Sequence, residues 1–292
     1  MSLLFGTDWH LNFLTDKATE NFIQNIYKEN PTADGLILTG DISSGEALNK
    51  HMTMLAENFP KPIFFCLGNH DFYNKSFQYI DELTARLTKR FDNLYWLNQG
   101  SHIYKGSSIV GVNGWYDCRQ GNSQTRIELR DFSAIEDLLA GLNNRDLLIE
   151  LVRKRADKEA NRLDALLFEE VCRFDSDVVF IATHVSPYSQ SCLNEGEQSN
   201  SEWLPWFCSY VIGEVIDKYA ENHTDKKFVV LCGHSHSPGT YRRRDNLVVY
   251  TGGTGNMGNN LYRHPDVVGW IYPDDRSIKS YNSKGILGIT RY

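Results

Sequence analysis

The chain has 292 residues, of which 41% are hydrophobic and 23% charged, and it carries a formal net charge of −7. That length can bury a sizeable core in one large domain or two small ones. The acidic balance excludes a general attraction to a phosphate backbone, though it leaves room for a local basic patch.

In chain order, short apolar runs predict buried strands at Leu3–Phe5, Gly35–Leu38, Ile63–Leu67, Ser108–Val112, Val178–Ala182 and Phe228–Cys232. Helically spaced segments, Lys17–Tyr27, Glu46–Glu57 and Ser76–Arg90, separate the early runs. Alternating strand and helix predicts an α/β layered fold with helices covering the sheet faces. Later, "TYRRRDNLVVYTGG" predicts a hairpin turning at Arg244-Asp245-Asn246.

Two insertions, at about 116–175 and 186–222, interrupt the alternation. The first holds a long helical stretch in which Leu148, Val152, Ala156, Ala160, Leu163, Leu167 and Val171 form one apolar stripe. That stripe suits a cap, a subunit interface or packing on its own domain. The second is polar at first and then helix-like. With no repeat and no linker, one domain spanning 1–292 is expected.

No apolar stretch reaches membrane-spanning length, and polar residues from Thr7 onward leave no signal-peptide core. The six cysteines, Cys66, Cys118, Cys172, Cys192, Cys208 and Cys232, form no C-x-x-C pair. A cytoplasmic chain without disulfides or a zinc knuckle is therefore expected.

Five predicted strands end on the same chemistry: "TDWH", "TGD", "GNHD", "TH" and "GHSH". Loops beyond strand carboxyl ends converge on one crevice in α/β sheets, so these residues can meet in space. Asp8 and His10, like His234 and His236, are two apart, and in an extended segment such pairs point the same way. Gly40, Gly68 and Gly233 precede ligand-type residues and let the backbone approach closely. A mixed nitrogen and oxygen donor set without thiolate suits manganese, iron, zinc or nickel. There are too many donors for one tetrahedral ion, and Asp41 sits centrally in the series. Two metals bridged by Asp41 are the natural arrangement.

Taken singly, a strand-end aspartate is more often a turn or a helix cap, and a lone histidine more often structural. The joint pattern outweighs those readings. Asp8-x-His10, Gly40-Asp41, Gly68-Asn69-His70-Asp71, His184 and Gly233-His234-x-His236 resemble, in order, the five-part signature of the calcineurin-like metallophosphoesterases. The resemblance implies a two-sheet β core flanked by helices on both outer faces, a four-layer sandwich. It implies a first divalent or trivalent metal ion on Asp8, His10 and His236, a second on Asn69, His184 and His234, and Asp41 as the bridge. His70 would protonate the leaving oxygen, Asp71 would orient that imidazole, and a metal-bridging hydroxide would attack phosphorus.

The implied activity is hydrolysis of a phosphodiester or phosphomonoester of a small molecule or nucleotide. A protein phosphatase, a nuclease or a non-catalytic scaffold are the alternatives. Other features are open to two readings. Tyr73 and Asn74 would touch substrate or cap the next helix, while Asn113, Trp115 and Tyr116 would wall the cleft or join the core. Arg242, Arg243 and Arg244 would bind an anion or form a solvated hairpin. His51, His102, His223 and His264 are expected to be structural or surface histidines. The glycine-rich "VVYTGGTGNMGNN" lacks the lysine and spacing of a phosphate loop.

Overall fold

The computed structural model describes residues 3–173, 176–194 and 196–253, together with three strands of the last 25 residues as backbone. The first half runs β1 (Leu3–Gly6), α1 (Asp16–Glu29), β2 (Gly35–Thr39), α2 (Leu48–Asn58), β3 (Ile63–Cys66), α3 (Phe77–Arg90) and β4 (Leu94–Trp96). There follow β5 (His102–Tyr104), β6 (Ser107–Gly111), α4 (Asp131–Ala134), α5 (Arg145–Arg173), β7 (Val178–Ala182), β8 (Leu193–Asn194) and β9 (Glu197–Gln198). Then come α6 (Leu204–Phe207), α7 (Tyr210–Asn222), β10 (Lys227–Cys232), β11 (Gly239–Arg244) and β12 (Leu247–Thr251). Three strands close the chain: β13 (Val268–Tyr272), β14 (Ser277–Asn282) and β15 (Gly285–Ile289).

One sheet has the order β15-β14-β13-β1-β2-β3-β4 and the other β11-β12-β10-β7-β6-β5. Strands β1 to β4 are mutually parallel, as are β12, β10, β7 and β6. The predicted strands are present, each within a residue or so of its expected bounds.

Alternation along the strands builds the layers. Leu3, Phe5, Ile37 and Phe64 of the first sheet meet Phe180, Ala182, Val229 and Leu231 of the second in an inter-sheet core. Leu4, Leu36, Leu38 and Phe65 point outward against Ile23, Met52, Leu55 and Ile80 from the three early helices. On the far face Val179, Ile181, Phe228 and Val230 pack under Ile212 and Ile216 of α7. The result is the expected four-layer sandwich. Its early helices start cleanly where a hydroxyl caps them, Thr15 accepting from Ala18 N and Ser76 from Tyr79 N. Ser76, rather than Tyr73 or Asn74, is therefore the cap of α3.

The long helix of the first insertion serves both outer layers. Leu148, Val152 and Ala156 join the core under the early helices, while Ala160, Leu163 and Leu167 join the one under α7. Among the described residues the stripe is thus buried on the chain's own sheets, which accounts for it without a partner.

The hairpin β11–β12 forms as predicted, with a register shift at Arg242/Arg244. Its arginines are engaged: Arg243 grips Asp217 of α7 through Nε and Nη2, and Arg244 bonds Glu221. The five cysteines with described side chains are free and buried. Among the described residues no helix is long and apolar enough to cross a membrane. His264 and most of "VVYTGGTGNMGNN" lie outside the described residues.

Candidate metal centre

Because β1, β2 and β3 are parallel in one sheet, and β7 and β10 in the other, their carboxyl ends open onto one rim. The loops there are tied to one another by backbone bonds. Asp8 N donates to Gly40 O at 3.0 Å, His10 N to Asp41 O at 2.8 Å, and His184 N to Asn113 O at 2.9 Å. Two glycines permit this closeness. A side chain at Gly68 would lie 2.2 Å from Asp41 Oδ1, and one at Gly233 would lie 1.9 Å from Thr7 Oγ1.

Donor atoms of Asp8, His10, Asp41 and His236 lie within 4.8 Å of one another, and so do those of Asp41, His184 and His234. Asp41 belongs to both groups. Asn69 joins the second, its Oδ1 lying 3.0 Å from His184 Nε2. All seven residues that the sequence singled out as metal ligands are thus brought together. The pairing premise was only half right, because His234 and His236 enter different groups. Nor is the backbone extended there: Asp8, His10, Asp41, His234 and His236 all adopt left-handed φ, from 44° to 70°. Each such residue costs about 1–3 kcal/mol, and that strain gathers at functional sites.

The donor chemistry fits a cation. His184 Nδ1 donates to the Thr39 carbonyl at 2.8 Å, which leaves Nε2 facing Asn69 Oδ1 and Asp41 Oδ1, the latter at 3.4 Å. Burial would lower the His184 imidazole, but the Asp41 carboxylate lifts it to about 9. The spot draws positive charge. His234 Nε2 donates to the Trp206 carbonyl at 2.9 Å, so its Nδ1 lone pair is left for the centre, and burial holds it neutral, near 4. In the other group His10 Nε2 and His236 Nε2 face each other at 3.4 Å, with His236 Nε2 3.2 Å from Asp8 Oδ1. Burial pushes His10 down to about 4. Burial would raise the Asp8 carboxyl, but the His236 imidazole wins and holds it near 2.

His70 sits at the edge of this set, with 28% of its side chain exposed and Nε2 3.9 Å from Asp41 Oδ2. Its ring stacks on Tyr73 at 4.3 Å. The expected bond from Asp71 to this imidazole is not made. Both Asp71 oxygens are taken by backbone N–H groups, Ser43 at 2.7 Å, Gly68 at 2.9 Å and Ile42 at 3.3 Å. Asp71 therefore stitches the Asp41 and Asn69 loops together. Burial and the nearby Asp41 charge raise its carboxyl to about 7, outweighing those bonds.

Two of the open readings close. Trp115 is core, packed edge-on against Phe72 and Phe77, and Asn113 Oδ1 accepts from Leu67 N and Trp96 Nε1 at 2.9 Å each. Tyr116 is buried too, lying parallel to the His234 ring at 6.0 Å, behind it. His51 is buried beside Ser43, with Nδ1 2.6 Å from Ser43 Oγ.

Sequence reasoning missed Asp131. It lies in the first insertion, 2% exposed, and accepts from Asn69 Nδ2 at 2.9 Å, Tyr73 OH at 2.7 Å and Tyr116 OH at 2.8 Å. A solitary aspartate in the first turn of a short helix gives no signal beyond favourable placement at a helix N-terminus.

A two-sheet sandwich whose strand ends converge on two histidine–carboxylate groups defines the metal-dependent phosphoesterase class. The model of the calcineurin-like phosphoesterase family matches residues 1–238, and the chain belongs to that family of hydrolases. Among solved structures it resembles a phosphopantetheinyl hydrolase from Mycobacterium tuberculosis, at 16% identity over 86% of this chain and 89% of that one, TM-score 0.58. It also resembles a dimetal phosphatase from Danio rerio, at 15% identity over 100% and 99% of the two chains, TM-score 0.58. A third is a 5′-nucleotidase from Candida albicans, at 13% identity over 97% of this chain and 52% of that one, TM-score 0.51. At such identities the likeness shows the fold. No curated protein matches the chain.

Proposed function

We propose that this chain hydrolyses a phosphodiester or phosphomonoester of a small molecule or nucleotide, using two metal ions. The observation that carries the reading is the pair of histidine–carboxylate groups sharing Asp41. Asp8, His10 and His236 would hold one ion and Asn69, His184 and His234 the other, with Asp41 common to both. Manganese, iron, zinc and nickel all suit this nitrogen and oxygen set. When bound, such a pair supplies Lewis-acid stabilisation of the phosphoryl oxygens and an acidified water as nucleophile.

The chain's own groups do the rest. His70, partly open to solvent and aimed at the shared carboxylate, donates a proton to the leaving oxygen. Tyr73 holds its ring by stacking, the positioning role first expected of Asp71. Asp71 keeps the Ile42–Ser43 and Gly68 backbones in register, which places Asp41 and Asn69.

A small substrate is favoured over a polymer. The net charge is −7, and Arg243 and Arg244 of the basic run are spent on Asp217 and Glu221. The names of the structural neighbours, a phosphopantetheinyl hydrolase and a 5′-nucleotidase among them, point the same way. We also read the chain as one domain with two insertions, acting in the cytoplasm; the free, buried cysteines suit a reducing compartment.

The test is metal counting together with hydrolysis of a broad panel of phosphate esters by manganese-loaded protein. The reading expects two ions per chain and hydrolysis that stops when they are stripped. Two ions with no ester cleaved would contradict it.

A further inference from the structure

We infer that Asp131 is a positioning residue for the centre, fixing which end of the Asn69 amide faces His184 and Asp41. The inference rests on the reading of Asn69 as a metal ligand.

The two ends of an asparagine amide are nearly the same size, yet only the oxygen can bind a cation. Nothing in Asn69 itself selects that end. Its partner does: Asp131 Oδ1 accepts from Asn69 Nδ2 at 2.9 Å, and the opposite atom, Oδ1, then lies 3.0 Å from His184 Nε2. Both Asp131 oxygens act here as acceptors, so the carboxyl group holds the Asn69 NH2 and leaves the amide oxygen toward the centre.

The same carboxylate reaches the rings behind two further site residues. Oδ1 also accepts from Tyr73 OH at 2.7 Å, and Tyr73 stacks on His70. Oδ2 accepts from Tyr116 OH at 2.8 Å, and Tyr116 lies parallel to His234. A plain helix cap does not explain this arrangement. No side-chain cap bond is made at the start of α4; one bond of the carboxylate goes to Asn69 and the other two to the tyrosines packed on His70 and His234. At 2% exposure its two oxygens are satisfied by three donors. The first insertion therefore completes the support of the centre.

The experiment is calorimetric titration of metal-free protein with Mn²⁺ alone, alongside thermal melting of the metal-free forms. In Asp131→Ala one of the two ions should bind about 10- to 100-fold more weakly, the usual cost of losing a partner that orients a ligand. Asp131→Asn should largely rescue that ion, because its oxygen still accepts from Asn69 and Tyr73 while its NH2 turns to the Tyr116 oxygen. Tyr73→Phe/Tyr116→Phe removes two of the three bonds but leaves the bond to Asn69, so it should lose stability while weakening that ion far less than Asp131→Ala does. If Asp131→Ala binds both ions with wild-type affinity, or the tyrosine pair weakens the ion as much as Asp131→Ala does, the inference is overturned.

Should Asp131→Ala fail to fold, ¹⁵N spectra of metal-free wild type decide. A fixed Asn69 side-chain amide, protected from solvent exchange, agrees with the inference, and one exchanging like an exposed asparagine overturns it. Wild type that binds no second ion would instead count against the ligand reading of Asn69, a distinct failure.

Discussion

Around His184 and His234 each imidazole is pinned from behind by a backbone carbonyl, Thr39 at 2.8 Å and Trp206 at 2.9 Å, and Asn69 is pinned by Asp131. Around His10 and His236 the two rings lean on each other, His10 Nδ1 is buried with no hydrogen-bond partner among the described residues, and 27% of the His236 side chain is exposed. One half of the centre is held by bonds from outside it, while the other is held more by its own members. Groups already held in place lose less freedom on binding, so the His184 half should hold its ion more tightly.

The largest effect should come from the residue common to both halves. Asp41→Asn removes the shared charge and should deplete both ions and slow hydrolysis about a thousandfold. Elemental metal counting beside rate measurement checks this, and full occupancy at a normal rate would rule out the sharing. Next comes the difference between the halves. On dialysis against increasing chelator one ion should leave first, separated from the other by about tenfold in affinity. In His236→Ala that weakly held ion should be missing while the other keeps its resistance. Should His236→Ala lose the tightly held ion instead, the comparison is the wrong way round.

A further effect lies outside both halves and falls on folding rather than on the centre. Burial holds the His51 imidazole near 4, against an ordinary value of 6.5. As pH falls below 6.5 the unfolded chain takes up a proton that the folded chain refuses until about 4. His51 thus disfavours the folded state progressively through that window and has no such effect above it. Between pH 7 and pH 5 the metal-free wild type should lose about 2 kcal/mol more than His51→Gln in urea unfolding. Equal losses would show that His51 is not held neutral.

The strands and the metal-type residues were legible because both leave marks in sequence: five apolar runs, ending in Asp-x-His, Gly-Asp, Gly-Asn-His-Asp, Thr-His and Gly-His-x-His. What holds those residues was not legible. The Thr39 and Trp206 carbonyls are backbone atoms that any residue could supply, and Asp131 is one aspartate among several in the first insertion. The expected Asp71–His70 bond failed because adjacency in sequence says nothing of where a side chain points. At Asp71 three backbone N–H groups lie closer, Gly68 of its own loop and Ile42 and Ser43 of the neighbouring one. The left-handed backbone at five ligand positions was equally hidden, since non-glycine residues adopt it only when the surrounding fold enforces it.

The most direct test of the central claim is His70→Ala, with metal content and hydrolysis of bis(p-nitrophenyl) phosphate and p-nitrophenyl phosphate measured on the same manganese-loaded samples. Wild type should cleave at least one of the two. The variant should keep both ions and lose about 10²- to 10⁴-fold in turnover, the usual worth of a positioned proton donor. A variant that loses its ions, or cleaves at the wild-type rate, would contradict the assignment of the centre.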